Sequence, residues 1–129
     1  LDKANKKKHL LLINSNFINK NIIKPLSGKK IILIISACYS GSFIENLKSP
    51  DIIIATSSSK NRTSSGCNPQ GRINTVYGRA LTEVLNNSKH QKNYSLINVF
   101  RDTQKLINKK EKWTENVSYP QLFVGKNFN

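Results

Sequence analysis

Two short apolar runs constrain the fold of this chain more than any other feature of its sequence. Residues 31–37 read IILIISA and residues 51–56 read DIIIAT, so both are rich in β-branched side chains, and neither alternates apolar with polar residues. Such runs are typical of strands that are buried on both faces, as in a parallel sheet covered by helices. We therefore predict that both runs are strands of a parallel sheet, buried on both faces.

The segments around these runs alternate between helical and extended patterns. The spacing of apolar residues and the turn residues predict four helices, over residues 19–26, 42–47, 75–85 and 94–113. HLLLI at residues 9–13 and QLFV at residues 121–124 are short apolar runs, and we predict both as short strands. This order of elements indicates an α/β domain with a mainly parallel sheet.

The sequence predicts two long buried strands, which is a small number for an α/β domain. Two long parallel strands by themselves leave both edges of a sheet exposed. We therefore expect residues 1–129 to be part of a single larger α/β domain, roughly its second half. An N-terminal segment or a partner chain would then complete the sheet.

The formal net charge of +14 over 129 residues raises the question of a nucleic-acid partner. The basic residues are 17 Lys and 4 Arg, whereas base readout favours the bidentate guanidinium of Arg. The lysines form short clusters without interleaved aromatic residues, unlike a base-stacking surface. Lys, Asn and Ile all have A/T-rich codons, so genomic bias explains this composition equally well. We therefore expect no nucleic-acid partner.

Apolar run length and cysteine content exclude several other classes of protein. The longest unbroken apolar run, residues 31–35, is far shorter than the ~20 residues that span a bilayer. We expect no membrane segment in this chain. Cys38 and Cys67 are too few for a disulfide scaffold, and no closely spaced Cys/His set predicts a zinc site.

The most chemically informative segment is SACYSGS, residues 36–42, which follows the first buried run. In open α/β sheets, catalytic groups gather at the carboxyl ends of strands. A thiol at that place, followed by a Gly-containing turn and a helix, is lifted out of the core and is favoured as thiolate. Cys38 is therefore a candidate nucleophile, and the alternative is a buried apolar Cys that ends a strand.

Four segments in order resemble the legumain-like cysteine peptidases, in particular their bacterial members. They are SACYSGSFI (residues 36–44), DIIIATSSSKNRTSSGC (51–67), VYGRALTEVL (76–85) and SYPQLFVG (118–125). The resemblance covers about residues 10–125. It implies a caspase-like three-layer sandwich with a mainly parallel sheet, and a cysteine endopeptidase that acts on peptide or protein substrates without metal or organic cofactor. Cys38 would be the nucleophile that forms a thioester, and a His would protonate the leaving amine.

The expected His is the first departure from the family pattern. The family carries it in a His-Gly pair on a loop before a short strand, and register places that position nearer Asn5. The chain has His9, which abuts the HLLLI segment without a following Gly, and His90, which lies in a polar connector. Three alternatives stay open: an upstream His completes the dyad, His9 has taken over from a shifted loop, or the protein is an inactive homologue that acts as a binding or scaffold domain.

The second departure concerns the specificity pocket. Legumains carry acidic residues where this chain has Ser36 and Arg79, so the pocket would change from acidic to basic if Arg79 points inward. A guanidinium there would favour Asp or Glu over Asn before the scissile bond. Thr63 and Ser64 match family residues near the pocket and could hydrogen-bond substrate, or they could be turn caps. The alternative for Arg79 is a solvated helix residue.

The second cysteine, Cys67, lies where family members also carry one. A disulfide between Cys38 and Cys67 would block the nucleophile, so we predict that both are thiols. Free thiols are more typical of cytoplasmic proteins, although activated cysteine peptidases also work outside the cytoplasm. The cellular compartment of this protein therefore stays undecided.

Overall fold

The computed structural model describes residues 13–66 and 75–128, and a three-stranded sheet lies at the centre of this part. Its strands, in spatial order, are β1 (Ile31–Ile35), β2 (Ile52–Thr56) and β3 (Gln121–Val124). β1 and β2 are parallel, with Ile31 opposite Ile52, whereas β3 runs antiparallel to β2. The α/β fold with a parallel strand pair is confirmed, and the three strands together form a mixed sheet.

In the part of the chain that the structure describes, four α-helices flank the sheet: α1 (Ser15–Ile18), α2 (Ser42–Leu47), α3 (Val76–Ser88) and α4 (Leu96–Glu111). α1 continues through a π-helical turn and a 3-10 turn, so helical structure covers residues 15–26 and begins before the predicted residue 19. The Asn14 side chain caps it by accepting a hydrogen bond from Phe17 N at 2.9 Å, and this cap places the start at Ser15. A last 3-10 turn, Lys126–Phe128, follows β3.

The helices cover both faces of the sheet, which gives three layers. On one face, α1 and α2 pack through Ile18 and Leu47 against Ile52 and Ile54 of β2. On the other face, Phe100 of α4 and neighbouring apolar residues pack against the alternate β2 residues, Ile53 and Ala55. Every residue of β2 is buried, as the continuous apolar run predicts.

The prediction that the first run is also buried on both faces is wrong. Ile32 and Ile34 of β1 remain 42% and 47% exposed. Both lie in register with Ile53 and Ala55 on the face that α3 and α4 cover, but those helices pack over β2 and β3. Only the alternate β1 residues reach the core, so β1 is a half-buried edge strand within the part of the chain that the structure describes.

The predicted strand at residues 9–13 lies outside the described residues except for Ile13, which is not in a strand. α3 and α4 agree with the predicted helices apart from one to three residues at their ends. Within residues 13–66 and 75–128, no helix combines the length and the apolar character needed to cross a membrane.

Candidate active site

The turn that carries Cys38 connects β1 to α2 at the carboxyl end of the parallel strands. We call residues 37–41 the nucleophile turn. Cys38 is half-buried, while Ala37 before it and Tyr39 after it are exposed. The thiol therefore sits at the edge of the core, at the position that the strand–turn–helix pattern predicts.

A strained backbone at Tyr39 shapes this turn. Tyr39 has φ = 59°, in the left-handed region that a bulky residue rarely occupies. Three hydrogen bonds hold it there: Tyr39 N donates to Arg62 O at 2.8 Å, and Tyr39 O accepts from Ser42 Oγ at 2.7 Å and from Ser42 N at 3.0 Å. The first bond joins the residue after Cys38 to the loop that follows β2.

Buried serines attach the nucleophile turn to the end of β2. The carbonyl oxygen of Ala37 accepts from Ser57 Oγ at 3.1 Å and from Ser58 Oγ at 3.0 Å. Ser58 Oγ in turn accepts from Ser40 N at 3.2 Å. All three serines are 1% exposed or less, so their own polar groups depend on these hydrogen bonds instead of on water. Ser57 and Ser58 were not predicted as site residues, although the run SSS directly after a buried strand is a signal that could have identified them.

A close backbone contact requires glycine at position 41. A Cβ at Gly41 would lie 2.7 Å from Lys60 N and 2.8 Å from Ser59 C, closer than real Cβ contacts. Gly41 N also donates to Ser58 O at 2.9 Å, which fixes the two segments at this distance. The Gly of the SACYSGS segment is therefore explained by the approach of the loop after β2.

The sulfur of Cys38 has a partner in the same loop. Ser64 N donates to Cys38 Sγ at 3.3 Å, and Ser64 is 5% exposed. A backbone N–H that donates to sulfur favours its negatively charged form. Of the predicted site residues, Ser64 is thus brought into direct contact with Cys38, whereas Thr63 beside it is exposed.

Ser36 and Arg79 are connected through the start of α3. Ser36 Oγ lies 3.1 Å from Oγ1 of Thr75, the residue that caps α3 by accepting from Gly78 N at 3.0 Å. Arg79 lies one turn into this helix and is exposed. Arg79 lines a cavity of about 510 Å³ together with Ser65 and Glu111.

Of the two histidines, the structure describes His90 but not His9. His9 lies outside the described residues, and so does Cys67. His90 is exposed and follows the carboxyl end of α3, whose amino end is beside Ser36. α3 has 13 residues and is therefore about 20 Å long, which puts His90 far from Cys38. Within the described residues, no group of three or more His, Cys, Asp or Glu side chains could hold a metal ion.

Comparison with known proteins bears on what this arrangement is. A comparison with curated proteins found no match. The model of the Peptidase C13 family, the legumain family of cysteine peptidases, matches residues 15–128. The match spans both parallel strands, the nucleophile turn and the helix that carries Arg79, so the chain belongs to the Peptidase C13 family.

Proposed function

We propose that this protein is a cysteine endopeptidase with Cys38 as its nucleophile. The observation that carries this proposal is the placement of Cys38 in a member of a cysteine peptidase family. The thiol follows a parallel strand, sits in a turn with a strained backbone, and accepts a backbone hydrogen bond at its sulfur. Each feature serves a side chain that must be held at one position and be reactive as thiolate.

In the proposed reaction, the Cys38 thiolate attacks the carbonyl carbon of the scissile peptide bond. The sulfur–carbon bond forms, the carbon–nitrogen bond breaks, and an imidazolium protonates the departing amine. Water then hydrolyses the thioester, with the neutral imidazole taking a proton from that water, and the thiolate returns. We propose His9 as this imidazole in preference to His90, which lies at the distant end of α3. A histidine upstream of residue 1 is the alternative.

The substrate-binding residues are proposed to be Ser36, Thr63, Ser64 and Arg79. Ser36 and Ser64 are held beside the nucleophile turn by Thr75 and by the Cys38 sulfur respectively. Arg79 would present its guanidinium to an acidic side chain before the scissile bond, forming a charge-assisted pair.

We further propose that residues 1–129 are part of a single peptidase domain. The exposed Ile32 and Ile34 on the edge strand β1 support a sheet that a further segment or a partner chain extends.

The central experiment labels the protein with acyloxymethyl-ketone probes that carry Asn, Asp or Arg at the position before the reactive group. We expect covalent labelling at Cys38, strongest with the Asp probe, and none in Cys38→Ala. Intact folding of the variant is checked by circular dichroism. If no probe labels the folded wild-type protein, the result would contradict the proposed peptidase activity and favour an inactive homologue that acts as a binding domain.

The two histidines provide a matched pair of variants for the proton donor. His9→Ala is expected to lower the rate of labelling and of peptide hydrolysis by roughly 100-fold or more, the range for a general acid–base group. His90→Ala should leave both rates unchanged. Equal activity in the two variants would exclude His9 as the catalytic imidazole without touching the role of Cys38.

A further inference from the structure

A buried carboxylate lies at the last residue of α4, where it lines the cavity that Arg79 borders. Glu111 is 4% exposed, and its Oε2 accepts from both the backbone nitrogen and the hydroxyl of Ser118, each at 2.7 Å. Within the described residues, its Oε1 is buried and makes no hydrogen bond. The ammonium group of its neighbour Lys110 instead pairs with Glu83 at 2.9 Å. Burial of a carboxylate that only neutral donors compensate is costly, so stability alone does not explain it.

The segment that Glu111 holds is in direct contact with the loop after β2. Ser118 O accepts from Ser59 N at 2.9 Å. The next residue, Tyr119, makes a second contact. The guanidinium of Arg62 lies over the Tyr119 ring, with its Cζ 5.7 Å from the centroid of the ring. The loop is therefore attached to this segment at two points, Ser59 and Arg62.

The same loop is attached to the nucleophile turn on its other side. Arg62 O accepts from Tyr39 N at 2.8 Å, and Ser64 N donates to Cys38 Sγ at 3.3 Å. The loop thus lies between the Glu111-bound segment and the sulfur, and hydrogen bonds fix it on both sides.

We propose that Glu111 is a positioning residue for Cys38. Its carboxylate holds residues 118–119, these residues hold the loop after β2, and the loop places the Ser64 N–H against the sulfur. The consequence for peptide cleavage rests on the proposed function. The consequence for thiol reactivity does not, because it concerns Cys38 alone.

The test measures the rate at which iodoacetamide alkylates Cys38, followed by mass spectrometry of the Cys38 peptide at pH 7 and pH 10. Loss of one hydrogen bond to a charged group should slow alkylation of Glu111→Ala roughly tenfold at pH 7. Free thiols in general are ionised at pH 10, so the rates of the two proteins should agree there. Glu111→Gln keeps an acceptor oxygen for Ser118 and should stay within about threefold of wild type.

Ile107→Ala is the matched control for a merely structural effect. Ile107 lies one turn earlier on α4, is 1% exposed, and packs against Tyr77 and Ala80 instead of the loop. It should lower the melting temperature and leave the Cys38 rates unchanged. If Glu111→Ala does not fold, Ser118→Ala carries the test, because it removes one of the two donors, and it should slow alkylation roughly threefold at pH 7 alone.

Three results would overturn the proposal: alkylation of the folded Glu111→Ala or Ser118→Ala variant at the wild-type rate at pH 7, equal slowing at both pH values, or the same pH-selective loss in Ile107→Ala. Alkylation needs neither substrate nor histidine, so an inactive homologue would still give the expected pattern. Loss of the proposed function and loss of this inference are therefore separate outcomes.

Discussion

The nucleophile turn and the helix face that carries Arg79 are neighbours, joined through Ser36 and Thr75, but they are built differently. In the turn, the backbone of residues 37–41 is bound by buried serines and by the loop after β2. On α3, burial of Tyr77 and Ala80 fixes the helix, while the side chain of Arg79 reaches solvent. A group that must stay at one position is thus held by many polar contacts, and a group that would meet a substrate is left accessible.

This difference gives the two regions separate signatures under mutation. Changes in the turn should alter both stability and thiol reactivity, because the same contacts support both. Changes at Arg79 should alter substrate preference and leave stability nearly unchanged.

The largest effect is expected from Gly41→Ala. The added Cβ would meet the backbone of Ser59 and Lys60, which cannot move without breaking the bonds that hold the turn. We expect the free energy of unfolding to fall by about 3 kcal/mol, measured by urea denaturation. Gly78→Ala is the control, since its Cβ would meet nothing closer than Thr75 Oγ1 at 3.2 Å, and it should change stability by less than about 1 kcal/mol. An equal loss of unfolding free energy in the two variants would contradict the close packing of the nucleophile turn.

Tyr77, which is buried on the helix that carries Arg79, should make the free energy of unfolding fall at alkaline pH. Burial raises the pKa of Tyr77 from 10.0 to about 12. The unfolded chain therefore loses the phenol proton near pH 10 while the folded chain keeps it, and rising pH favours unfolding. The stabilisation is complete below pH 10 and should decline by about 1.4 kcal/mol per pH unit until pH 12.

Tyr77→Phe removes this titration. The free energy of unfolding is measured for wild type and for Tyr77→Phe at pH 9, 10 and 11. The difference between the two proteins gives the pH dependence that is due to Tyr77, because the many lysines titrate in both. A difference that does not change with pH would show that the phenol is solvated in the folded state.

A pair of serine variants resolves the contacts of the turn more finely. Ser58 Oγ both donates to Ala37 O and accepts from Ser40 N, whereas Ser57 Oγ donates only to Ala37 O among the bonds that join it to the turn. Ser58→Ala should therefore lower the free energy of unfolding by about 2 kcal/mol, because it removes a bond to Ala37 O and leaves the buried Ser40 N–H without its acceptor. Ser57→Ala should lower it by about 1 kcal/mol, because Ala37 O keeps its bond from Ser58. Thermal denaturation orders the two variants, and the reverse order would contradict the central role given to Ser58.

The smallest effect on stability is expected from Arg79→Ala, within about 0.5 kcal/mol. Labelling by the Asp probe relative to the Asn probe should nevertheless fall roughly tenfold, the loss expected for a hydrogen bond to a charged group. Lys110→Ala is the matched control, because Lys110 lines the same cavity but its charge is paired with Glu83. An unchanged probe ratio in Arg79→Ala would show that Arg79 is a solvated helix residue.

Local pattern was enough to locate most elements of this fold. A continuous β-branched run predicts β2 because a strand buried on both faces needs no polar residues, and helical spacing predicts α3 and α4. The same reasoning misjudged β1. Its sequence is equally apolar, and whether helices cover it depends on where α3 and α4 pack.

The sequence by itself determined that Cys38 follows a strand and precedes a Gly-containing turn and a helix, and its motifs placed the chain in its family. Only the tertiary structure decided which groups hold that cysteine. Ser58, Ser64 and Glu111 act on the turn from positions 18 to 73 residues away, directly or through the loop after β2. Hydrogen bonds of this kind depend on distance and direction between groups remote in the chain, which no local pattern of residues encodes.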